Sequence, residues 1–184
     1  ALINGKRHYD VGTEEKLPSV TTILQATQSE EKKQKLEEWK KRMGEQRADR
    51  IRDISAMRGT SMHTYLEGYI KDERHLDLTA LGQEAGRMAD VVIRSGLGDL
   101  EEVWGTEVTL YYPGLYAGAT DVVGIYNGRE SIIDFKQTNK PKQREWIDDY
   151  FTQLAAYAMA HNYVYNTQIQ SGIILMCSKD GFFQ

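Results

Sequence analysis

Apolar residues recur at helical spacing through the first half of this chain and give way to β-branched and aromatic runs in the second. Leu36, Trp39, Met43 and Ile51 keep the rhythm of an otherwise charged helix that starts at Ser29. A next helix carries Gly59-Thr-Ser-Met-His63-Thr-Tyr-Leu-Glu67, where positions 59, 63 and 67 share one face because they lie four apart. Leu81, Ala85, Met88 and Val92 mark another helix over 79–95, ended by Gly96 and Gly98. Ahead of these, residues 3–9 read as a short strand with a glycine turn. Pro18-Ser19 then marks a helix start with Ser19 as its N-cap.

From residue 102 the pattern predicts strands. Residues 102–112 are rich in β-formers, and Pro113-Gly114 turns the chain into a strand that opens with Tyr116. Asn127-Gly128 lies between two β-branched runs, and this residue pair accepts the positive φ that both central positions of a type I′ hairpin require. Residues 144–162 read as a helix and 168–178 as a buried strand. Lys179-Asp-Gly181 makes a turn, and Phe182-Phe183-Gln184 begins a strand, so the fold is expected to continue past residue 184. The order predicts one α/β domain with an α-β-β-β-α-β core, mainly helical over 1–100 and built on a sheet over 101–184.

The chain has 184 residues, 40% of them hydrophobic, which suffices for one sizeable core. Its formal net charge of −4 argues against coating duplex DNA by bulk charge. Locally the balance reverses, with four basic residues and no acidic one from Lys136 to Arg144, and a net +3 over residues 29–58. A single cysteine, Cys177, excludes an internal disulfide, an iron–sulfur cluster and a zinc knuckle. No apolar run approaches the roughly 18 residues of a membrane span, and the start lacks a secretory segment. A monomer in a reducing, intracellular setting is the expectation.

The chemistry concentrates at the hairpin. Counting outward from Tyr126 opposite Arg129 puts Asp121 directly across from Asp134, on one sheet face. Opposed like charges destabilise a sheet unless a cation lies between them, so the pair reads as a metal site sooner than as a solvated charge ladder. Lys136 shares that face by the period of two, while Ile133 and Phe135 point to a core. A three-residue loop over 113–115 brings Glu107 opposite Asp121 as well.

In order along the chain stand Gly59-x-x-x-His63, Glu107, Gly118-x-x-Asp121, Asp134-Phe-Lys136 and Gln153-Leu-Ala-Ala-Tyr157. With these blocks the chain resembles the PD-(D/E)XK nuclease superfamily, and within it the RecB-like branch. Leu17-Pro-Ser-Val-Thr-Thr-Ile-Leu24 is similar to the N-terminal block of the mitochondrial genome maintenance exonuclease group and its phage relatives. The resemblance implies a restriction-endonuclease-like core whose central mixed sheet is flanked by helices. It also implies metal-dependent hydrolysis of DNA phosphodiesters, preferentially in single strands with free ends. Asp121, Asp134, the Phe135 carbonyl and His63 are the implied ligands of one or two Mg²⁺ or Mn²⁺ ions, hard cations that favour oxygen, with the imidazole favouring Mn²⁺. Lys136 is implied to orient the attacking water and to offset developing charge. On its own His63 reads as a helix-face histidine, and Glu67 as its hydrogen-bond partner, a metal contact or a surface acid. Gln153 and Tyr157 share a helix face that serves either substrate or packing under the sheet.

Lys140, Lys142, Arg144 and Trp146 interleave cations with an aromatic ring, as single-strand channels do, which makes them the expected DNA contacts. Helices around residues 32–58 are expected to arch over the strand. One position departs from the commonest family pattern, because Gln137 follows Lys136 where many members have threonine. A structure-specific endonuclease of recombination or repair, and an inactive nucleic-acid-binding module of the same fold, are the alternatives. The expected location is the cytoplasm of a bacterial host for a phage protein, or the mitochondrion for a eukaryotic one.

Overall fold

In the computed structural model, which describes residues 1–184, Ser19 caps a helix as the sequence predicts, and Ser29 and Thr79, expected as first helical residues, are caps as well. Ser19 Oγ accepts from the Thr22 amide at the start of α1 (Val20–Ala26), and Ser29 Oγ from the Lys32 amide at the start of α2 (Glu30–Met43). Thr79 Oγ1 does the same for α4 (Ala80–Gly96), accepting from Gly82. The long charged helix breaks earlier than expected. Gly44, at φ 82°, ends α2, and α3 (Glu45–Ile70) runs unbroken for 26 residues, so Ile51 belongs to the same helix as His63. A residue at positive φ cannot continue a right-handed helix, and glycine adopts that conformation without a Cβ clash.

Before α1, strands β1 (Leu2–Ile3), β2 (Lys6–Tyr9) and β3 (Leu17–Pro18) form a small antiparallel sheet. The main sheet contains β4 (Leu100–Tyr112), β5 (Tyr116–Tyr126), β6 (Arg129–Thr138) and β7 (Ser171–Ser178), in that spatial order. The first three form an antiparallel meander, and β7 joins β6 in parallel. Parallel neighbours need a crossover, and α5 (Asp148–Tyr165) supplies it. The sheet is therefore mixed, flanked by helices, with the predicted α-β-β-β-α-β order.

Asn127 (φ 47°) and Gly128 (φ 75°) form the tight turn between Tyr126 and its partner Arg129. The other hairpin pairs Tyr112 with Tyr116 across the three residues 113–115. Two boundaries differ from the pattern-based ones. Residues 144–146 form a short 3-10 turn, and α5 proper starts only after the buried Ile147. Residues 168–170 stay outside β7 because the Asn162 side chain accepts from the Ile169 amide (2.8 Å) and donates to its carbonyl (3.0 Å), fixing a loop there. At the end of the chain Gln184 exchanges two 2.8 Å backbone hydrogen bonds with Met176, so residues 182–184 do begin an antiparallel pairing with β7.

The sheet is covered on both faces. Met62 and Leu66 of α3 and Ala85, Met88 and Val92 of α4 pack on Val122, Ile133, Phe135 and Leu175. On the opposite face Leu154, Tyr157 and Ala160 of α5 and Val20 of α1 pack on Leu110, Val123 and Ile132. No helix is long and apolar enough to cross a membrane.

Ile132 and Ile133 are neighbours in sequence, fully buried, and belong to different cores. Ile132→Ala and Ile133→Ala are each expected to lower the unfolding free energy by about 2–5 kcal/mol, measured by urea denaturation. A near-neutral result for either would show that its face of the sheet is not covered.

Candidate active site

β5 and β6 pair from Tyr126↔Arg129 as far as Val122↔Ile133. Beyond that point β5 stays on β4 and β6 stays on β7, so the two central strands part. The backbone of Phe135 then faces a fork instead of a partner strand, and its polar groups need other partners. Its N–H donates to Asp121 Oδ2 at 2.7 Å. Its carbonyl oxygen lies 2.8 Å from Nε2 of His63, which reaches in from α3. Since a carbonyl only accepts, Nε2 carries the proton in that contact.

His63 Nε2 is also 3.8 Å from Asp121 Oδ2. His63 Nε2, Asp121 Oδ2 and the Phe135 carbonyl thus converge in the fork. Adjacent donors around a small octahedral cation, bound at about 2.0–2.1 Å, stand about 3 Å apart. His63 Nε2 and the Phe135 carbonyl meet that spacing at 2.8 Å, while Asp121 Oδ2, at 3.8 Å from Nε2, would have to close in on the ion. The side chains alone form no cluster of three His, Cys, Asp or Glu residues able to hold a metal. The backbone carbonyl is what completes the set. Asp134 is 4% exposed, and its Oδ2 contacts Lys136 Nζ at 2.7 Å but outside hydrogen-bonding alignment, leaving that buried oxygen without a hydrogen bond. Such an oxygen suits a cation, and the donor set as a whole fits a hard divalent ion.

The register expected from the turn holds up to the last paired residues, and Asp121 and Asp134 come next on either side of the fork. Burial, foremost, and then the Asp134 charge and hydrogen bond push the Asp121 carboxyl well above its ordinary range. The Glu107 charge adds to the rise, and the Phe135 N–H opposes it. Glu107 lies on β4 between the pairs Thr106↔Val122 and Val108↔Thr120, exposed and unpaired in the ladder, so the expected pairing opposite Asp121 is not formed. Its φ of 48° is unusual for a non-glycine residue and breaks the ladder at that position.

On the α5 side Lys136 Nζ donates to Gln153 Oε1 at 2.8 Å, and Gln153 Nε2 donates to Tyr157 Oη at 2.8 Å. Gln153 and Tyr157 therefore hold the lysine through a hydrogen-bonded relay. Burial pushes the Tyr157 phenol up and keeps it neutral. Tyr157 packs directly on Gly118, where an added Cβ would lie 2.5 Å from its ring, which gives the glycine in Gly118-x-x-Asp121 a physical reason. Glu67 is engaged by Lys71 one turn along α3, and not by His63.

The basic tract divides. Lys140 lines a cavity of about 790 Å³ together with Trp39, Arg42, Arg47, Arg58 and Lys179. Lys142 and Arg144 face a separate hollow with Phe151, on which Arg144 stacks at 4.1 Å while pairing with Asp148. Trp146 is exposed on the 3-10 turn. The cavity residues of α2 and α3 were absent from the sequence-based site. The net positive charge of residues 29–58 was the available signal, but it did not say which cations face inward. Above the cavity α2 buries none of its residues, and Lys32 ties it to Asp149 of α5 at 3.0 Å.

No protein-family model matches the chain. It is similar to mitochondrial genome maintenance exonuclease 1 of Mus musculus, 32% identical over 90% of this chain and 51% of that protein. The Xenopus tropicalis protein of the same name is 33% identical over 96% of this chain and 52% of its own length. The Homo sapiens one is 32% identical, with 90% of this chain and 50% of its own length covered. The chain spans about half the length of these curated relatives. The likeness supports a nuclease kinship.

A carboxyl whose folded pKa is raised stabilises most when protonated, and that stability is lost as pH rises from the unfolded value near 3.8 through the folded one. Asp121→Asn is therefore expected to raise the Tm of the protein in EDTA at pH 7.5 by several degrees, each kcal/mol amounting to about 2–4 °C at this size. At pH 4 the gain should shrink towards zero. A lower Tm at pH 7.5 would contradict the electrostatic account.

Proposed function

We propose that this chain is the catalytic part of a metal-dependent DNA exonuclease that degrades single strands from free ends. The observation that carries the reading is the convergence of His63 Nε2, Asp121 Oδ2 and the Phe135 carbonyl in the strand fork, beside Asp134 and Lys136. The exonuclease name shared by the three relatives supports the reaction class.

Asp121, Asp134, the Phe135 carbonyl and His63 would hold Mg²⁺ or Mn²⁺, the imidazole giving up its Nε2 proton so that this nitrogen can ligate. When bound, the ion supplies Lewis-acid polarisation of the scissile phosphate and acidification of water. The remaining work belongs to the chain. Asp134 and Gln153 fix the Lys136 ammonium from two sides, so it can orient a water and stabilise charge developing on the phosphate without reorganising. Tyr157 braces Gln153 from the next turn of α5. Burial of Asp134 and most of Asp121 removes competing water and strengthens each of these contacts.

The basic cavity under α2 supports the substrate class. Arg42, Arg47, Lys140 and Lys179 suit a phosphate backbone, and Trp39 offers a ring on which a base can stack. From its tie to α5 at Lys32 to its junction with α3 at Gly44, α2 runs along the cavity that its Trp39, Arg42 and Met43 line. A strand passing beneath it must enter by an end. Of the two expected locations, the relatives' names favour the mitochondrion.

The test is digestion of end-labelled linear DNA, single- and double-stranded, alongside circular single strands, in Mg²⁺, Mn²⁺ and EDTA. Linear single strands should disappear only with a divalent ion, and Lys136→Ala should slow that by about 10²–10³-fold. Intact linear DNA in both metals would sink the enzyme reading. Circular strands cut as fast as linear ones would replace the exonuclease with an endonuclease.

A further inference from the structure

Arg58 carries its charge into the interior, 3% exposed, yet the nearest carboxylate, Glu84, stands 3.8 Å from its guanidinium. Its hydrogen bonds go to two neutral amides at the end of β6. Nε donates to Gln137 Oε1 at 2.9 Å, and Nη2 donates to Asn139 Oδ1. Gln137 turns the other side of its amide back to α3, where Nε2 donates to the Ser55 carbonyl at 3.0 Å. Gly59 leaves room for this amide, since a Cβ there would lie 3.2 Å from Gln137 Nε2. The result is a closed ring of hydrogen bonds between α3 and β6 around a buried guanidinium. Apolar packing usually stabilises an interior at least as well as a buried charge does, so stability alone does not account for the ring.

Its position suggests what it does. Phe135 precedes Gln137 by two residues on β6, and His63 follows Gly59 by four on α3. On α3 the ring is held at Ser55 and Arg58, eight and five residues before His63, so it fixes α3 against β6 roughly 7.5–12 Å along the helix from the contact between His63 and the Phe135 carbonyl. Gln137 is also the residue at which the chain departs from the commonest pattern after the lysine.

We propose that Arg58, Gln137 and Asn139 form a positioning clamp that sets the rotation and height of α3, and so delivers His63 to the strand fork. The clamp rests on the reading of His63 as a metal ligand. Outer partners that orient a ligand typically change metal affinity by about 10–100-fold when lost.

Two readouts on the full chain test it. Calorimetric Mn²⁺ titration should give roughly tenfold weaker binding for Gln137→Leu. In a His63→Ala background the same substitution should add nothing, because a clamp that acts through His63 is silent without it. Independently, NMR of the metal-free protein should show a protected His63 Nε2 proton in the wild type and in Asn139→Asp, which keeps an acceptor for Arg58. The proton should be lost in Gln137→Leu. Asn139→Ala, at an exposed position outside both cores, should weaken Mn²⁺ binding in the same direction. Equal loss of affinity with and without His63, or an unchanged imidazole proton in Gln137→Leu, would overturn the clamp. A wild type that binds no Mn²⁺ would defeat the metal reading, and the imidazole signal alone would then decide the clamp.

Discussion

A sheet strand whose neighbour leaves it must satisfy its backbone by other means, and Phe135 is where this chain meets that constraint. Its N–H goes to the Asp121 carboxylate and its carbonyl to His63. Two side chains from different elements are thereby drawn to one backbone unit, and a set of donors suited to a cation assembles around it. Had β5 and β6 stayed paired, the ladder would have consumed both groups of Phe135. Asp121 would then have faced Asp134 with no reason for His63 to approach.

The fork depends on what surrounds it. β7 keeps β6 in place on one side through the pairs Asp134↔Ile174 to Thr138↔Ser178, and β4 keeps β5 on the other. Helices fill both faces, α3 and α4 against one and α5 against the other, so the site opens between layers that are each anchored in a buried core. The face split also separates roles. From the α5 side come Gln153 and Tyr157, which hold Lys136, and from the α3 side comes His63. The strain accepted here is visible in Asp121, whose carboxyl is pushed up by burial and by Asp134, and in Glu107, held at positive φ beside it. Such costs gather where function requires them.

Much of this was legible from local pattern. Asn127-Gly128 fixed the β5–β6 register, and with it the meeting of Asp121 and Asp134, because a two-residue turn leaves no freedom in which residues oppose. The Ser19 cap located one helix start, and the onset of the periodic segments at residues 29 and 79 located two more to within a residue. Local rules failed where a single backbone choice or a distant partner decided the outcome. Gly44 split the charged helix at a point the hydrophobic rhythm runs straight through, and the Asn162 side chain kept residues 168–170 out of β7. In the basic tract, charge counting could not foresee that Arg144 would be occupied by Asp148 and Phe151 while Lys140 faced cations from α2 and α3.

By itself the sequence determined the order of elements, the hairpin register and the shared face of Asp121, Asp134 and Lys136, since each follows from periodicity and turn chemistry within a few residues. Only the tertiary structure decided that the central strands part after Val122, that Glu67 turns to Lys71, and that Gln153 and Tyr157 grip the lysine. It alone placed Arg58 and Gln137 in one hydrogen-bonded ring, 79 positions apart in the chain. Those outcomes turn on how helices and sheet pack in three dimensions, and hydrogen bonds between elements remote in sequence leave no period to read.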